Sequence, residues 1–201
     1  MTRPFDAELP ETDDPIALFH IWMAAAVETE PNDPDAVSLA TASPNGAPSV
    51  RMVLMKRLDT RGFSFYTNAE SQKGRELAAN PRAAMCFHWK TQRRQVRVEG
   101  QVRELPGDDA DQYFRTRSRM SRIGALASAQ SRPLATRAEL ETASQALAAR
   151  YPGEVPRPEY WRGYVLTPER IEFWQQGEDR LHDRMLFTLA EDGWKKTRLY
   201  P

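Results

Sequence analysis

The N-terminal part of the chain carries a helical pattern of apolar residues. Asp13 or Asp14 is a typical N-cap, and Pro15 suits the first position of a helix. Apolar side chains then recur with the three- and four-residue spacing of a single helix face, at Ile16, Phe19, Trp22 and Met23. The pattern predicts one amphipathic helix that runs from Pro15 to about Val27.

From residue 36 onward the spacing changes to that of β-strands. The runs AVSLATA, SVRMVLMKRLD and FSFYTN are separated by turns that contain glycine, and they predict an antiparallel meander. SQKGRELAANP predicts a short helix that stops before Pro81. RAAMCFHWK and QVRVEGQVREL resume the strand pattern, and in the second run Val96, Val98 and Val102 alternate with polar residues. We therefore expect a half-buried strand there.

The remaining part of the chain, nearly half of it, adds helices and then more strands. Residues from Gly107 to about Arg150 turn helical and are expected to form an insert. Short strands follow in WRGYVLT, RIEFWQQ, RMLFTLA and KKTRLY. No internal repeat or low-complexity linker divides the chain, so we predict one domain over residues 1–201, with residues 1–14 as a flexible leader. The predicted fold class is mainly β with helical additions (α+β), a barrel decorated by helices.

Composition and charge narrow the function. The 28 basic and 28 acidic residues balance, which argues against a nucleic-acid surface held by bulk positive charge. No apolar stretch approaches the roughly 20 residues of a membrane helix, and the acidic N-terminus lacks a secretory signal. We therefore expect a cytoplasmic protein without a membrane or nucleic-acid partner. Cys86 is the only cysteine and the three histidines are scattered, so we predict no metal site.

Common catalytic and nucleotide motifs are missing. The chain has no G-x-G-x-x-G after a strand, no G-x-x-x-x-G-K-[ST] and no G-x-S-x-G. A Rossmann site, a P-loop and a hydrolase nucleophile elbow are therefore not supported. If the protein binds a phosphate, side chains must hold it.

Two cations stand in the hydrophobic run RMVLMK. Alternation places Met52, Leu54 and Lys56 on one face of the strand, and it places Arg51, Val53 and Met55 on the other. Each cation could reach solvent from an edge or pair with an acid. An anion site at the rim of the sheet is the other interpretation, and the residues alone leave both open.

A second candidate site lies in YFRTRSRMS. Tyr113, Arg117 and Ser121 are spaced at i, i+4 and i+8, so a continuous helix would align them for a phosphate. Neighbouring arginines make a basic, solvated helix face the commoner explanation of such a run. Gln130 and Ser131, in AQSRP, fit an ordinary loop.

The stretch IEFWQQGEDRLHDR is more specific. If RLHDR is extended, Arg180, His182 and Arg184 project from one face, while Leu181 and Asp183 point away. Like charges in such a row repel one another. Unless Glu178, Asp179 or Asp183 neutralises them, the arrangement favours an anionic or electron-rich ligand.

IEFWQQGEDRLHDR also resembles the signature of the pyridoxine/pyridoxamine 5'-phosphate oxidases. The resemblance extends over nearly the whole chain from about Pro15, through RMVLMK, FYTN, SQKGRELAANPRAA, RRQVRVEGQV, YFRTRSRMSRIGALASAQS, EVPRPEYW and RLYP. It implies a split-barrel FMN-binding fold, assembled as a homodimer with two FMN sites at the subunit interface. Each site would take residues from both chains.

The resemblance also implies which residues bind FMN. One chain would contribute Arg51, Met52, Val53, Leu54, Met55, Lys56, Tyr66, Thr67 and Lys73. The other would contribute Gln95, Gln130, Ser131, Trp174 and Arg184. Gln72, next to Lys73, stands where many relatives have arginine, so one contact with the FMN phosphate is expected to be weakened or replaced.

By the same resemblance, the substrate phosphate would be bound by Lys56, Tyr113, Arg117 and Ser121. Arg180 and His182 would lie over the pyridine ring as the candidate catalytic pair, and Asp33 matches a further position near the substrate. The implied reaction oxidises pyridoxine or pyridoxamine 5'-phosphate to pyridoxal 5'-phosphate. O2 is the acceptor, H2O2 is a product, and the amine also releases ammonia. Whether His182 transfers a proton stays open.

Two other functions remain possible on the same barrel. One is a non-catalytic module that binds flavin or pyridoxal phosphate, and the other is a split-barrel flavin reductase with a different substrate. The full set of Tyr113, Arg117, Ser121, Arg180 and His182 disfavours the non-catalytic module. Measuring which phosphorylated vitamers reduce the bound flavin separates the oxidase from the reductase.

Overall fold

The computed structural model describes residues 9–201 of the chain. In these residues the α-helices are α1 (Pro15–Thr29), α2 (Gln72–Ala79), α3 (Gly107–Thr116), α4 (Arg119–Ala127) and α5 (Arg137–Arg150). The strands are β1 (Ala36–Ala42), β2 (Pro48–Leu54), β3 (Arg57–Asp59), β4 (Gly62–Asn68), β5 (Arg82–Trp89), β6 (Arg94–Glu104), β7 (Trp161–Gln175), β8 (Asp183–Ala190) and β9 (Gly193–Arg198).

The start of the described chain is held against the last strands. Residues 1–8 of the predicted leader lie outside the described residues. Leu9 is only 4% exposed, and its backbone N–H donates to Asp183 Oδ2 at 2.8 Å. Lys196 Nζ lies 2.8 Å from Glu11 Oε2 and 3.1 Å from Asp13 Oδ1. Residues 9–13 therefore contact β8 and β9.

Helix α1 forms as the apolar pattern predicts. Asp14 Oδ1 accepts hydrogen bonds from the N–H groups of Ile16 and Ala17 at 2.9 and 3.0 Å, which satisfies two donors of the first turn. Its buried face packs on the sheet through Leu18, Phe19, Trp22 and Ala26. Aromatic contacts dominate this packing, since the rings of Trp22 and Phe173 meet edge to face at 5.2 Å.

The nine strands form one curled antiparallel sheet. Its order is β2-β1-β5-β6-β7-β4-β3, with β8 on β7 and β9 on β8. The first half of β7 pairs with β4 and the second half pairs with β8, while β6 runs along both. The two halves of β7 therefore have different neighbours on one side, and the sheet splits into two branches at the middle of this strand. The predicted fold class, a mainly β split barrel with helical additions, is confirmed.

Strand β7 differs from the prediction of two short strands. WRGYVLT and RIEFWQQ belong to one strand of 15 residues that passes through Pro168. A proline cannot donate to a ladder, and the register of β6 shifts opposite it, between Glu99 and Gly100. A Cβ on Gly100 would lie 2.0 Å from Thr167 O, so glycine allows the close approach at this bulge.

The predicted second strand of the meander is interrupted. SVRMVLMKRLD forms β2 and then β3, with Met55 and Lys56 between them. Met55 N–H donates to Asp35 O and Lys56 N–H donates to Ser64 O. The predicted alternation holds along β2, where Arg51 and Val53 are half-buried while Met52 and Leu54 are exposed.

Two hydrophobic clusters stabilise the fold. The larger one lies between α1 and the sheet and includes Phe19, Trp22, Phe63 and Phe87. The smaller one joins the helical region to the start of β7, through Ala110, Phe114 and Trp161. The predicted helical region is thus anchored to the barrel next to the residues of the candidate site.

Candidate active site

Lys73 is a buried cation at the start of α2. The residue is 7% exposed, and its Nζ donates to Gln130 Oε1 at 2.9 Å, Thr67 Oγ1 at 3.2 Å and Ser71 Oγ at 3.3 Å. All three acceptors are neutral oxygens. Burial, and next the charge of Arg51, lower the pKa of Lys73 to about 8. A buried ammonium at a helix N-terminus, bonded only to neutral groups in the described part of the chain, fits a phosphate.

Thr67, Lys73 and Gln130, three residues of the predicted cofactor set, meet within one chain. The resemblance implied that Gln130 comes from the partner chain, whereas here it reaches Lys73 within one chain. Ser131 follows in an exposed turn with φ 69°.

Arg51 and Gln72 both turn towards Glu76, a residue that the sequence did not single out. Arg51 Nη2 lies 3.4 Å from Glu76 Oε2, and Gln72 Nε2 donates to Glu76 Oε1 at 2.9 Å. Direct contact of Arg51 and Gln72 with FMN remains a prediction.

Lys56 also pairs with an acid. Its Nζ lies 2.6 Å from Asp35 Oδ2, and both side chains are about one quarter exposed. Asp33 lies two residues before this partner, in a turn where its φ is 37°. Pairing with acids was one of the two interpretations of Arg51 and Lys56, and it is observed for both. Neither pairing excludes an anion from the rim of the sheet.

Gln95, Trp174 and Arg184 form a row across three strands. Gln95 of β6 is in register with Trp174 of β7, and Trp174 is in register with Arg184 of β8. Arg184 Nε donates to Glu172 Oε1 at 2.9 Å, and its Nη1 donates to Tyr200 O at 2.9 Å. Three residues that the resemblance assigns to one chain are thus neighbours.

The segment RLHDR is not extended, so the predicted one-faced row of donors is wrong. Glu178–Arg180 forms a 3₁₀ turn in which Asp179 and Arg180 have φ of 49° and 65°, and β8 begins only at Asp183. The turn separates Arg180 from Arg184. His182 stays beside Trp174, with the ring centroids 4.7 Å apart, and Arg180 is exposed.

The helix predicted through Tyr113, Arg117 and Ser121 is also interrupted. Helix α3 ends at Thr116, Arg117 is extended, and Ser118 caps α4 by accepting from Ser121 N–H at 3.2 Å. Ser118 favours this break because its hydroxyl binds the first turn of a new helix. Ser121 is exposed, and its Oγ lies 2.8 Å from Ser118 Oγ.

Tyr113 and Arg117 nevertheless meet, because both contact Trp161 at the start of β7. The rings of Tyr113 and Trp161 are 6.0 Å apart, Tyr66 stacks on both, and the Arg117 guanidinium lies 5.1 Å from the Trp161 ring. Burial lowers the pKa of Arg117, and its buried Nη1 has no hydrogen-bond partner within residues 9–201. This group is therefore available to an anion. The sequence offered no local sign of Trp161 beyond its place in EVPRPEYW.

Neither a metal cluster nor a membrane-spanning helix is found among the described residues. Within the described range, no group of three or more His, Cys, Asp or Glu side chains is placed to hold a metal ion. No helix in that same range is long and apolar enough to cross a membrane.

Two solved proteins share this fold over nearly the whole chain. A solved FMN-binding protein from Nostoc punctiforme, described as related to pyridoxamine 5'-phosphate oxidase, superposes with a TM-score of 0.74 at 17% identity, over 95% of this chain and 100% of that one. PhzG from Burkholderia lata, solved in complex with tetrahydrophenazine-1-carboxylic acid, superposes with a TM-score of 0.91 at 33% identity, over 98% of both chains.

Sequence comparison is more specific. Residues 23–175 match the family model described as pyridoxamine 5'-phosphate oxidase, and residues 161–201 match the C-terminal dimerisation region of pyridoxine 5'-phosphate oxidase. Pyridoxine/pyridoxamine 5'-phosphate oxidase from Gluconobacter oxydans is 55% identical, over 94% of both chains. The enzyme of the same name from Anaeromyxobacter dehalogenans is 57% identical, over 94% of this chain and 96% of its own. The chain therefore belongs to the pyridoxamine 5'-phosphate oxidase family.

Membership confirms two of the predictions. The chain is an oxidoreductase of this family, and FMN is its cofactor. The match of residues 161–201 to a dimerisation region supports the predicted homodimer.

Proposed function

We propose that the protein oxidises pyridoxine 5'-phosphate or pyridoxamine 5'-phosphate to pyridoxal 5'-phosphate. One observation supports this most directly: Lys73 is buried, Arg117 is half-buried with a buried Nη1, the two lie in separate clusters, and neither cation contacts a carboxylate within the described residues. Buried charges are normally paired. The reaction needs two phosphate sites, one for FMN and one for the substrate, and the two clusters can provide them.

When bound, FMN would supply the redox chemistry: it would take up a hydride from the carbon that bears the amine or hydroxyl while that group loses a proton, and the two electrons and two protons would pass to O2 to give H2O2. The chain binds and orients the reactants. Lys73, Thr67 and Gln130 fit the FMN phosphate because they combine a positive charge with hydrogen-bonding groups in a buried place. We assign Arg117 and Tyr113 to the substrate phosphate.

Arg180 and His182 are proposed to orient the pyridine ring. His182 is held beside Trp174, while Arg180 sits on an exposed turn from which it can contact a substrate. A guanidinium and an imidazole can both bind the polar substituents of the ring. Their contribution is mainly to hold the reacting carbon in position for transfer.

We further propose that the working unit is a homodimer. The dimerisation region 161–201 contains Trp174 and Arg184, which the resemblance assigns to a flavin site that also uses residues of the other chain. A dimer would thus bring the Gln95–Trp174–Arg184 row of one protomer to the Lys73 cluster of its partner.

The test combines cofactor and turnover measurements. The purified protein is expected to be yellow, to consume O2 with either phosphorylated vitamer, and to form pyridoxal 5'-phosphate and H2O2. Arg117→Met should raise KM for pyridoxamine 5'-phosphate at least about tenfold, because a charge-assisted phosphate contact is lost, while FMN stays bound. Arg170→Met, at an exposed ion pair with Glu99, is the matched control. A colourless protein that stays inactive after FMN is supplied would contradict the proposal.

The likeness to PhzG raises a second candidate, the oxidation of an unphosphorylated aromatic substrate. Arg117 alone does not separate the two, because a guanidinium can bind a carboxylate as well as a phosphate. Turnover of a phosphorylated against an unphosphorylated vitamer separates them, since only the first carries an anion for Arg117. Unphosphorylated pyridoxamine should therefore be a poor substrate of the wild type and be insensitive to Arg117→Met.

A further inference from the structure

The carboxylate of Glu76 lies buried under α2 and joins this helix to the sheet. The residue is 8% exposed. Its Oε2 accepts from Thr41 Oγ1 of β1 at 2.5 Å and from Ser49 Oγ of β2 at 2.6 Å, while its Oε1 accepts from Gln72 Nε2 of α2 at 2.9 Å. Arg51 Nη2 completes the group at 3.4 Å. Glu76 thus has partners on three elements.

This carboxylate is ionised at neutral pH. Burial opposes ionisation, but the hydrogen bonds from Ser49, Thr41 and Gln72, together with the charge of Arg51, outweigh it and hold the pKa of Glu76 at about 2. A negative charge is therefore present beneath α2 at neutral pH.

Most N–H groups of Arg51 already donate to Glu76 and to residues beside it. Its Nη1 donates to Leu39 O at 3.2 Å and Thr41 Oγ1 at 2.5 Å, and its Nη2 donates to Ser49 Oγ at 2.5 Å and Glu76 Oε2. A guanidinium has five N–H groups, so the four on the terminal nitrogens are engaged and the Nε–H remains. Arg51 therefore links β2 to α2, and few of its N–H groups are left to bind an anion.

Lys73 lies on α2 three residues before Glu76, so whatever holds the helix also sets the place of Lys73. We propose that Glu76 is a positioning residue for the phosphate end of the flavin site, because its bonds to Thr41, Ser49 and Arg51 hold α2 on the sheet and thereby hold Lys73. The inference rests on the proposed function in one respect, namely that Lys73 binds the FMN phosphate. The same inference gives a role to Gln72, which stands where many relatives have arginine. Its side-chain amide donates a hydrogen bond that helps to position the Glu76 carboxylate.

The electrostatics give this role a distinct signature. Lys73 is faced by Arg51 from β2, which lowers its pKa, and by Glu76 on its own helix, which raises it. The groups that face it from β4 and from the loop after α4, Thr67 and Gln130, are neutral. Removing the charge of Glu76 leaves the repulsion by Arg51 unopposed. Lys73 would then lose its proton at a lower pH.

The test compares FMN with riboflavin, which has the same ring system without the phosphate. Both are titrated into the full-length protein after its flavin has been removed. Glu76→Gln should weaken FMN binding about tenfold, the equivalent of one charge-assisted hydrogen bond, and leave riboflavin binding unchanged. The control is Glu169→Gln, which removes a carboxylate from an exposed pair with Arg82 and should change neither.

A double substitution shows whether Glu76 acts through Lys73. In a Lys73→Met background Glu76→Gln should have no further effect on FMN affinity, and in the single variant the decline of FMN affinity at high pH should begin at a lower pH than in the wild type. An equal loss of FMN and riboflavin, or an undiminished effect in the Lys73→Met background, would overturn the inference. If Glu76→Gln does not fold, Arg51→Gln keeps the bonds of the carboxylate to Ser49, Thr41 and Gln72 but removes the ion pair with β2. It should also weaken FMN more than riboflavin, and the decline of FMN affinity should then begin at a higher pH, because the charge that lowers the pKa of Lys73 is gone. A wild type that binds no FMN would overturn the proposed function instead.

Discussion

At the scale of single residues, the buried ammonium of Lys73 should make the affinity for FMN depend on pH. Its pKa is lowered to about 8, so the group is charged below that pH and neutral above it. The FMN phosphate is already a dianion there, since its second pKa is about 6. FMN affinity should therefore be constant up to about pH 8 and then fall by up to about tenfold per pH unit.

Flavin titrations between about pH 7 and about pH 9.5 measure this decline. Lys73→Arg keeps its proton throughout that range and should flatten the profile. A wild-type affinity that does not change with pH would show that Lys73 is not at the phosphate.

Arg180 and Arg184 differ in their surroundings and should differ in their roles. Arg184 is held by Glu172 and Tyr200 beside Trp174, so Arg184→Ala should loosen FMN by about tenfold or more. Arg180 is exposed on a turn, so Arg180→Ala should lower kcat/KM at least about a hundredfold while FMN remains bound. Flavin content and steady-state kinetics are measured on both variants. Equal loss of flavin in the two would contradict this division.

At the scale of elements, the turn between β7 and β8 depends on Gly177. A Cβ at this position would lie 1.9 Å from Leu181 O, and the Gly177 N–H donates to His182 Nδ1 at 3.3 Å. Gly177→Ala must therefore move the turn that carries Arg180 and His182. We expect kcat/KM to fall at least about tenfold and the free energy of unfolding to fall by about 2 kcal/mol. Gly153→Ala, where no atom lies within 4 Å of the added Cβ, is the control for both measurements.

At the scale of the whole molecule, β2 exposes an apolar face at one edge of the sheet. Val50, Met52 and Leu54 are 68%, 60% and 40% exposed, and they project from the strand that carries Arg51. Large apolar side chains side by side on an edge strand are typical of a surface that a partner covers. In the proposed homodimer, Met52→Asp should therefore weaken association, because it would place a charge in the interface.

The association is measured as the mass of the protein in solution by light scattering, together with FMN affinity. Met52→Asp should shift the mass towards that of one chain and weaken FMN binding in parallel, since each site is proposed to use both chains. Ile21→Asp, at an equally exposed position on α1, is the control and should leave the dimer intact. A dimeric Met52→Asp protein with normal FMN affinity would place the interface elsewhere.

The sequence by itself determined most of the regular elements and indicated the family. Asp14 and Pro15 begin α1, and the alternation in β2 and β6 predicts their buried faces, because these signals depend on residues that are close in the chain. The motif in residues 171–184, together with segments along nearly the whole chain, resembles the family that the comparisons confirm. The resemblance alone also predicts cofactor-binding residues, among them Lys73, Thr67 and the Gln95–Trp174–Arg184 row.

Only the tertiary structure decided how these residues are held and which of them are free. Glu76 meets Thr41 across 35 residues, Lys73 meets Gln130 across 57, and Arg117 meets the Trp161 ring from another element, so no local spacing reveals the contacts. The breaks after Thr116 and at Glu178–Arg180 likewise overrode the predicted helix and strand. Burial is the physical reason for the contacts of Glu76 and Lys73, whereas the Ser118 cap favours the break after Thr116. Buried charges must find a partner, and we propose that Lys73 and Arg117 find theirs in a ligand.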